Sequence, residues 1–181
     1  MDSAAYLEDI VRTFRNYKSL GERAIAQVTS DADLHKQIDP DSNSIAVIVR
    51  HVGGNLRSRF RDFLTSDGEK PDRHRDGEFE MPERVSRDEI VAWWNEGFGV
   101  ALASIEALTP EDLDRTVFIR GEGFLVPEAL SRSATHTAYH VGQIVYLARH
   151  LASPNWKSLT IPKGKSADAA VGDFKTRGIA R

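Results

Sequence analysis

Apolar residues recur at steps of three and four along four segments of the chain, and this spacing constrains the fold more than any other feature. Such steps place apolar side chains on one face of an α-helix. The pattern predicts long helices that begin near Leu7, Ile45, Ser86 and Pro127. A chain of 181 residues is large enough to bury a substantial core. We therefore expect an all-α fold in which residues 1–181 form a single domain.

Short sequence signals mark the beginnings of three of these helices. The segment Asp39–Ser44 offers turn and N-cap side chains before the second helix. Ser86 and Glu89 form an S-x-x-E capping box that opens the third helix. Pro127 suits the first position of the fourth helix, because proline lacks the N–H that goes unused there.

Three segments lack a helical period. Residues 66–85 are polar and rich in glycine, proline and charge, so they predict a long loop, and loops of that length in a compact domain are often functional. Residues 116–126 predict a short hairpin, with two brief strands around a glycine turn, before the last long helix. The segment from Asn155 onward predicts an irregular C-terminal tail.

Composition excludes several classes of function. The chain has no cysteine, so thiolate metal sites, cysteine nucleophiles and disulfides are excluded together. A formal net charge of −3 argues against nucleic acid as a partner, because such proteins carry a basic surface. The N-terminus does not resemble a secretion signal, and no apolar run predicts a membrane span. We expect a cytoplasmic protein that has no membrane partner.

Three histidines form the candidate metal site. His136 and His140 lie four residues apart, which places both imidazoles on one helix face. The pair alone is weak, because two histidines that hydrogen-bond locally would show the same spacing. However, both lie beside the apolar stripe of the last helix, and His51 lies among apolar residues of the second helix, where it needs a partner. We therefore predict that His51, His136 and His140 bind one divalent ion.

Other chemical interpretations of these residues are weaker. Thr137 stands where a zinc peptidase of the H-E-x-x-H type has its glutamate, so that reading is excluded. A solvated role is expected for the remaining histidines, which are His35, His74 and His150. Three arginines in the second helix could attract an anionic substrate, but a solvated face is the favoured interpretation of Arg57, Arg59 and Arg61.

Three segments resemble the DinB-like superfamily of bacterial metal-dependent proteins: RHVGGN at 50–55, SRSATHTAYHVGQIVYLARH at 131–150 and WKSLTIPKGKS at 156–166. The chain is most similar to an uncharacterised subgroup with H-V-G-G-N and W-x-S-L-x-I-P-x-G-x-S segments. The resemblance implies an up-down four-helix bundle, often a homodimer. In this fold one histidine of the second helix and two of the last bind zinc, nickel or a similar ion, and these positions correspond to His51, His136 and His140.

Three functions remain open from the sequence. The resemblance implies a metal-dependent transferase that joins a low-molecular-weight thiol to an electrophilic small-molecule substrate. A metal-dependent hydrolase and a nonenzymatic metal-binding stress protein are the alternatives. No residue is marked as a catalytic acid or base, which slightly favours the transferase. Asn55, one turn after His51, and Gln143, near His140, are the candidate substrate-binding residues.

Overall fold

The computed structural model describes residues 2–80 and 85–168 of the chain. It is mostly helical, which agrees with the apolar periodicity. The helices are α1 (Ser3–Ile25), α2 (Asp31–Leu34), α3 (Ile45–Phe60), α4 (Arg87–Glu106) and α5 (Val126–Leu151). The four long helices are those that the sequence predicts, and the one-turn helix α2 is an addition. None of the helices within the described residues is long and apolar enough to cross a membrane.

The predicted cap signals are present at the helix beginnings. The Ser44 hydroxyl accepts a hydrogen bond from the Val47 N–H at 3.3 Å and so caps α3. At α4 the capping box is confirmed, because the Ser86 N–H donates to Glu89 Oε2 at 2.9 Å and the Glu89 N–H donates to the Ser86 hydroxyl at 3.3 Å. Pro127 lies one position further along than expected, since α5 begins at Val126.

A two-stranded hairpin precedes α5, as the sequence predicts. Strands β1 (Thr116–Ile119) and β2 (Glu122–Leu125) pair antiparallel and are joined by Arg120 and Gly121. Both linking residues have positive φ, at 57° and 76°, which is the backbone form of tight hairpin turns. The Asp67 carboxylate accepts hydrogen bonds from the backbone N–H groups of these two residues, at 2.9 Å and 2.7 Å. The hairpin therefore holds the start of the long loop in place.

The four long helices enclose one continuous core. Helices α1 and α3 each pack against both α4 and α5. The expected up-down order is wrong, because α1 and α5 run parallel: Tyr6 contacts Pro127 where both helices begin, and Gln27 contacts Lys157 beyond the ends of both. The largest side chains with almost no exposure include Phe14, Phe60, Trp94, Phe98, Leu130 and Ile144. Helices α3 and α4 approach most tightly at two glycines, where a Cβ on Gly97 would lie 2.6 Å from the Gly53 Cα. Close helix packing therefore explains the first glycine of the H-V-G-G-N segment.

The loop that follows α3 folds back against that helix. The Ser58 hydroxyl donates to the Gly68 carbonyl at 2.8 Å and accepts from the Lys70 N–H at 3.1 Å. Further along, residues Asp76–Phe79 form a 3-10 turn whose carboxylate Glu78 is buried against α3. The loop prediction is confirmed for residues 66–80 and 85, while residues 81–84 lie outside the described residues.

The described part of the C-terminal segment is irregular apart from a 3-10 turn at Ser166–Asp168. Its beginning lies against the end of α1, where the Lys157 N–H donates to Gln27 Oε1 at 2.6 Å and the Gln27 amide donates to the Lys157 carbonyl at 3.0 Å. The predicted tail therefore packs on the helices over this stretch. Residues 169–181 lie outside the described residues.

Candidate metal centre

The three predicted histidines meet between α3 and α5. His51 Nε2 lies 3.2 Å from His136 Nε2, although the two residues are 85 positions apart in the chain. The centroids of the three imidazole rings lie 4.6 Å to 5.3 Å from one another. One ring nitrogen from each of His51, His136 and His140 lies within 4.8 Å of the other two. The three side chains are therefore close enough to bind one metal ion.

Helix geometry explains the convergence. The spacing of four residues stacks His136 and His140 on the face of α5 that packs against α3. His51 comes from the buried face of α3 and is only 5% exposed, while the two histidines of α5 are partly buried. The cluster thus lies at the edge of the core, where it is shielded from water on the helix side.

Two of the rings have a fixed orientation. The His51 Nδ1–H donates to Glu78 Oε2 at 2.8 Å, and the His140 Nδ1–H donates to Gln143 Oε1 at 2.8 Å. Carboxylate and amide oxygens only accept hydrogen bonds, so the Nδ1 atom of each ring carries a proton, and a neutral ring with this proton has an unprotonated Nε2. This leaves the Nε2 atoms of His51 and His140 with a free lone pair, which is the form that binds a metal ion.

The environment keeps the two histidines of α5 uncharged at neutral pH. Burial, together with the charges of His140 and His51, lowers the pKa of His136 from 6.5 to about 4. Burial also lowers the pKa of His140, although its hydrogen bond to Gln143 partly offsets this effect. Because imidazole must be neutral to coordinate an ion, both side chains are ready to act as ligands at pH 7.

One pair of ring nitrogens already has the separation that a divalent ion requires. Two imidazole nitrogens on a tetrahedral zinc ion would lie about 3.3 Å apart, given bonds of about 2.0 to 2.1 Å. The observed 3.2 Å between His51 Nε2 and His136 Nε2 matches this separation. In addition, His136 Nδ1 is buried without a hydrogen-bond partner among the described residues, so no protein group on that side fixes the tautomer of this ring. Neutral imidazoles suit zinc, nickel and related ions.

The carboxylate of Glu78 hydrogen-bonds to the side of the His51 ring that faces away from the cluster. The sequence did not reveal this contact. The guanidinium of Arg73 donates to both oxygens of Glu78, at 2.8 Å and 2.9 Å, and the Glu78 side chain is 8% exposed. Burial alone would raise the pKa of the Glu78 carboxyl, but hydrogen bonds from His51 and Arg73 lower it overall. The group is therefore an ionised carboxylate that fixes the His51 ring, a common arrangement behind metal-binding histidines.

The second glycine of the H-V-G-G-N segment makes room for this carboxylate. A Cβ on Gly54 would lie 2.4 Å from Glu78 Oε1, so a larger residue would push Glu78 away from His51. The sequence marked the loop at 66–85 as a candidate functional segment. It gave no signal that distinguished Glu78 or Arg73 from the other charged residues of the loop, because the loop has no period.

A cavity of about 440 Å³ opens beside the histidines. Its wall includes His51, His136, Asn55, Ser133 and five arginines, which are Arg59, Arg73, Arg75, Arg120 and Arg132. No aspartate or glutamate within the described residues lines it. Of the two candidate substrate-binding residues, Asn55 lies in this wall, while Gln143 lies outside it and contacts His140.

The family model described as "Protein of unknown function (DUF1572)" matches residues 2–165. The chain belongs to this family. No curated protein and no solved structure matches this DUF1572 chain. The matched range contains the three histidines, Glu78, Arg73 and every residue of the cavity wall. Since the family description assigns no activity, function has to be inferred from the geometry of the site.

Two minor expectations are corrected in this DUF1572 structure. Arg59 is not part of a solvated face, because its side chain is only 12% exposed and pairs with Glu69 at 3.1 Å. Its neighbours Arg57 and Arg61 are more exposed, in agreement with the expectation. His35 is partly buried, with Nε2 2.9 Å from the Val85 carbonyl, whereas the other two histidines outside the cluster are exposed as expected.

Proposed function

We propose that this chain is a metal-dependent transferase of the DinB-like superfamily, built on a four-helix bundle, that joins a small thiol to an electrophilic substrate. The observation that supports it best is the meeting of three imidazoles beside an open cavity. Three histidine ligands with a remaining open position are typical of catalytic zinc, whereas structural zinc sites have four protein ligands.

The residues of the site divide into ligands and supporting groups. A divalent ion, zinc or nickel, held by His51, His136 and His140 would lower the pKa of a thiol that binds it, so a chain without cysteine needs no nucleophile of its own. Glu78 fixes the ring of His51, and Gln143 fixes the ring of His140. Both contacts hold the unprotonated Nε2 atoms in place.

The surroundings of Glu78 favour a transferase over a hydrolase. Metal-assisted hydrolysis needs a general base that can take a proton from water. Glu78 contacts the cluster, but it already accepts hydrogen bonds from Arg73 and His51, and its pKa is lowered. It is therefore a weak base, and it does not line the cavity beside the histidines. A thiol is much more acidic than water and needs no such base.

Helix packing and resemblance support the rest of the proposal. The packing of α1 and α3 against both α4 and α5 is what a four-helix bundle requires. The H-V-G-G-N segment, in which the first glycine allows helix contact and the second admits Glu78, has a structural reason here. As part of the same proposal, the protein acts in the cytoplasm as a homodimer, a state that light scattering would measure.

The first test measures metal content. Protein purified from cells would be analysed by elemental mass spectrometry, as would the variants His51→Ala, His136→Ala and His140→Ala. We expect about one zinc or nickel ion per chain in the original protein and a marked loss in each variant. His150→Ala is the matched control, because His150 is an exposed histidine on the same helix, α5. Unchanged metal content in the three variants would refute the site.

The second test measures activity. Metal-loaded protein would be incubated with several small thiols and with chlorodinitrobenzene as the electrophile. We expect turnover that requires both thiol and metal, that is lost in His136→Ala and that persists in His150→Ala. Turnover without thiol, measured with ester substrates, would instead support a hydrolase. No turnover with any thiol, electrophile or ester would support the nonenzymatic role.

A further inference from the structure

Positive charge is concentrated in the wall of the cavity beside the histidines. All five charged side chains of the wall are arginines. Three of them share a single carboxylate, that of Glu69, at 3.1 Å, 3.0 Å and 3.6 Å from Arg59, Arg120 and Arg73. Burial would raise the pKa of Glu69, yet these arginines lower it. Arg73 also donates to both oxygens of Glu78, so two carboxylates face these three guanidinium groups, and excess positive charge remains around the cavity.

Two further arginines of the wall have weak partners or none. Arg132 forms no ion pair with any described residue, and its guanidinium lies 5.6 Å from the centre of the Phe124 ring. Arg75 pairs only with the adjacent Asp76, at 3.4 Å, whose side chain is 88% exposed, and such surface pairs are weak. A guanidinium that stacks on an aromatic ring keeps its N–H donors free for an anion.

Two buried polar side chains of the same wall also lack partners. Asn55 is 9% exposed and Ser133 is 7% exposed. Neither side chain forms a hydrogen bond with another of the described residues, although both line the cavity. Their polar atoms are open to the cavity, because the side-chain atoms that are fully buried without a partner among the described residues are Asn16 Oδ1 and His136 Nδ1. An amide N–H and a hydroxyl can both donate to an oxygen of a bound ligand.

These donors lie at a defined place relative to the histidines. Asn55 follows His51 by one turn of α3, and Ser133 precedes His136 by about one turn of α5. One turn corresponds to about 5 Å along a helix. Each donor therefore lies about one turn, or about 5 Å along the helix axis, from a histidine of the cluster, and a short carbon chain can span such an offset.

We propose that the thiol that uses this cavity is a small organic acid whose carboxylate is bound by Arg132, Asn55 and Ser133. This inference rests on the proposed function, and it names the chemical class of one reactant. A carboxylate accepts two parallel hydrogen bonds from a guanidinium, and such charge-assisted bonds are stronger than neutral ones. A β-mercapto acid has a carbon chain of the right length between its sulfur and its carboxylate.

Calorimetry of the metal-loaded protein would test the inference. The probes are β-mercaptopropionate and mercaptopropanol, which share a carbon chain and differ in charge. We expect the acid to bind at least about tenfold more tightly than the alcohol, with a difference that shrinks as salt is added. Arg132→Gln should remove most of this difference, and folding is not at risk because Arg132 is exposed. Ser133→Ala should weaken binding of the acid by several fold, roughly one hydrogen bond.

Arg149→Gln is the matched control. Arg149 is exposed on the same helix, lies outside the cavity wall and forms no ion pair with any described residue. Equal affinity for acid and alcohol, or equal effects of Arg132→Gln and Arg149→Gln, would overturn the inference. Metal-free protein would also be titrated with propionate and with inorganic phosphate, and tighter binding of phosphate would overturn the assignment to a carboxylate.

The outcomes separate this inference from the proposed function. Selective binding of propionate by a protein that shows no thiol turnover would refute the transferase and leave the anion site standing. Turnover of neutral thiols as fast as acidic ones, without binding of propionate, would refute the anion site and leave the transferase standing.

Discussion

Replacement of Glu78 by glutamine removes a charge at the centre of the supporting network. Glu78 Oε1 accepts from Arg73 Nε, while Oε2 accepts from both Arg73 Nη2 and His51 Nδ1. A glutamine side chain has one oxygen and one NH2 group, and the NH2 group would face an N–H donor of Arg73 or His51. At least one hydrogen bond is therefore lost, together with the negative charge that stabilises the His51 ring.

Two effects of known size follow. Loss of a carboxylate behind a metal-binding histidine typically weakens metal binding by about 10-fold to 100-fold, which corresponds to about 1.4 to 2.7 kcal/mol. Removal of one partner of a buried ion pair costs about 3 to 5 kcal/mol of folding stability. In Glu78→Gln the buried Arg73, whose side chain is 5% exposed, would still pair with Glu69 at 3.6 Å. We therefore expect a loss of folding stability at or below the lower end of this range, about 3 kcal/mol or less.

The experiment measures both quantities separately. Zinc affinity would be obtained by competition with a chelating dye, and the stability of the metal-free protein by urea denaturation. Glu69→Gln is the matched control, because Glu69 also pairs with Arg73 but forms no hydrogen bond with His51. We expect both variants to lose stability and only Glu78→Gln to lose zinc affinity. A zinc affinity for Glu78→Gln within about twofold of the control would refute the orienting role.

Three further changes test the helices and the site. Gly97→Ala should destabilise the protein by about 1 to 3 kcal/mol, because the added Cβ would meet Gly53. Gly99→Ala, on the same helix but in open space, should stabilise the protein by up to about 1 kcal/mol. Urea denaturation measures both changes, and changes of the same sign would contradict the packing argument. Hydrogen bonds from the Ser86 backbone and side chain lower the pKa of Glu89 from its ordinary value of 4.5. The original protein should therefore be more stable than Glu89→Gln at pH 7, and this difference should vanish as the pH falls through the lowered pKa. A difference in stability that does not depend on pH would contradict the cap. Removal of the metal by a chelator should lower the melting temperature of the original protein but not that of His136→Ala. Calorimetry measures both temperatures, and the same decrease in both proteins would show that the ion binds elsewhere.

Local patterns were sufficient to predict the helices. The apolar residues that recur every three or four positions are helical in the structure, because each long helix buries one face in the common core. The capping box at Ser86 was readable because its partners are only three residues apart. The end of α3 was harder to locate. The apolar pattern continues to Leu64, but the helix stops at Phe60, and Phe63 is buried from the turn that follows.

The histidine cluster was only partly visible in the sequence. The spacing of His136 and His140 is a local feature, and the apolar neighbours of His51 indicated a buried base that needs a partner. The partners that the structure reveals, Glu78 and Arg73, come from a loop without period that folds back on α3 through contacts distant in sequence. No local pattern reports such contacts.

The arginine cavity was also beyond local inference. The sequence does not indicate which of the three arginines in α3 are exposed to solvent and which line a cavity. Only the packed structure shows that Arg59 is largely buried while Arg57 and Arg61 are more exposed. Likewise, Arg132 is one charge among many in the sequence. Its place beside Asn55 depends on how α5 lies against α3.

The distance in sequence between His51 and His136 has a consequence for how the chain unfolds. An ion coordinated by both would act as a reversible cross-link that closes a loop of 85 residues, in a chain that has no cysteine for a covalent one. Because the unfolded chain does not hold the histidines together, the ion binds the folded state and stabilises it by about 2.7 kcal/mol when its free concentration is about a hundred times the Kd. Starving a cell of that ion would then shorten the lifetime of the protein as well as silence it.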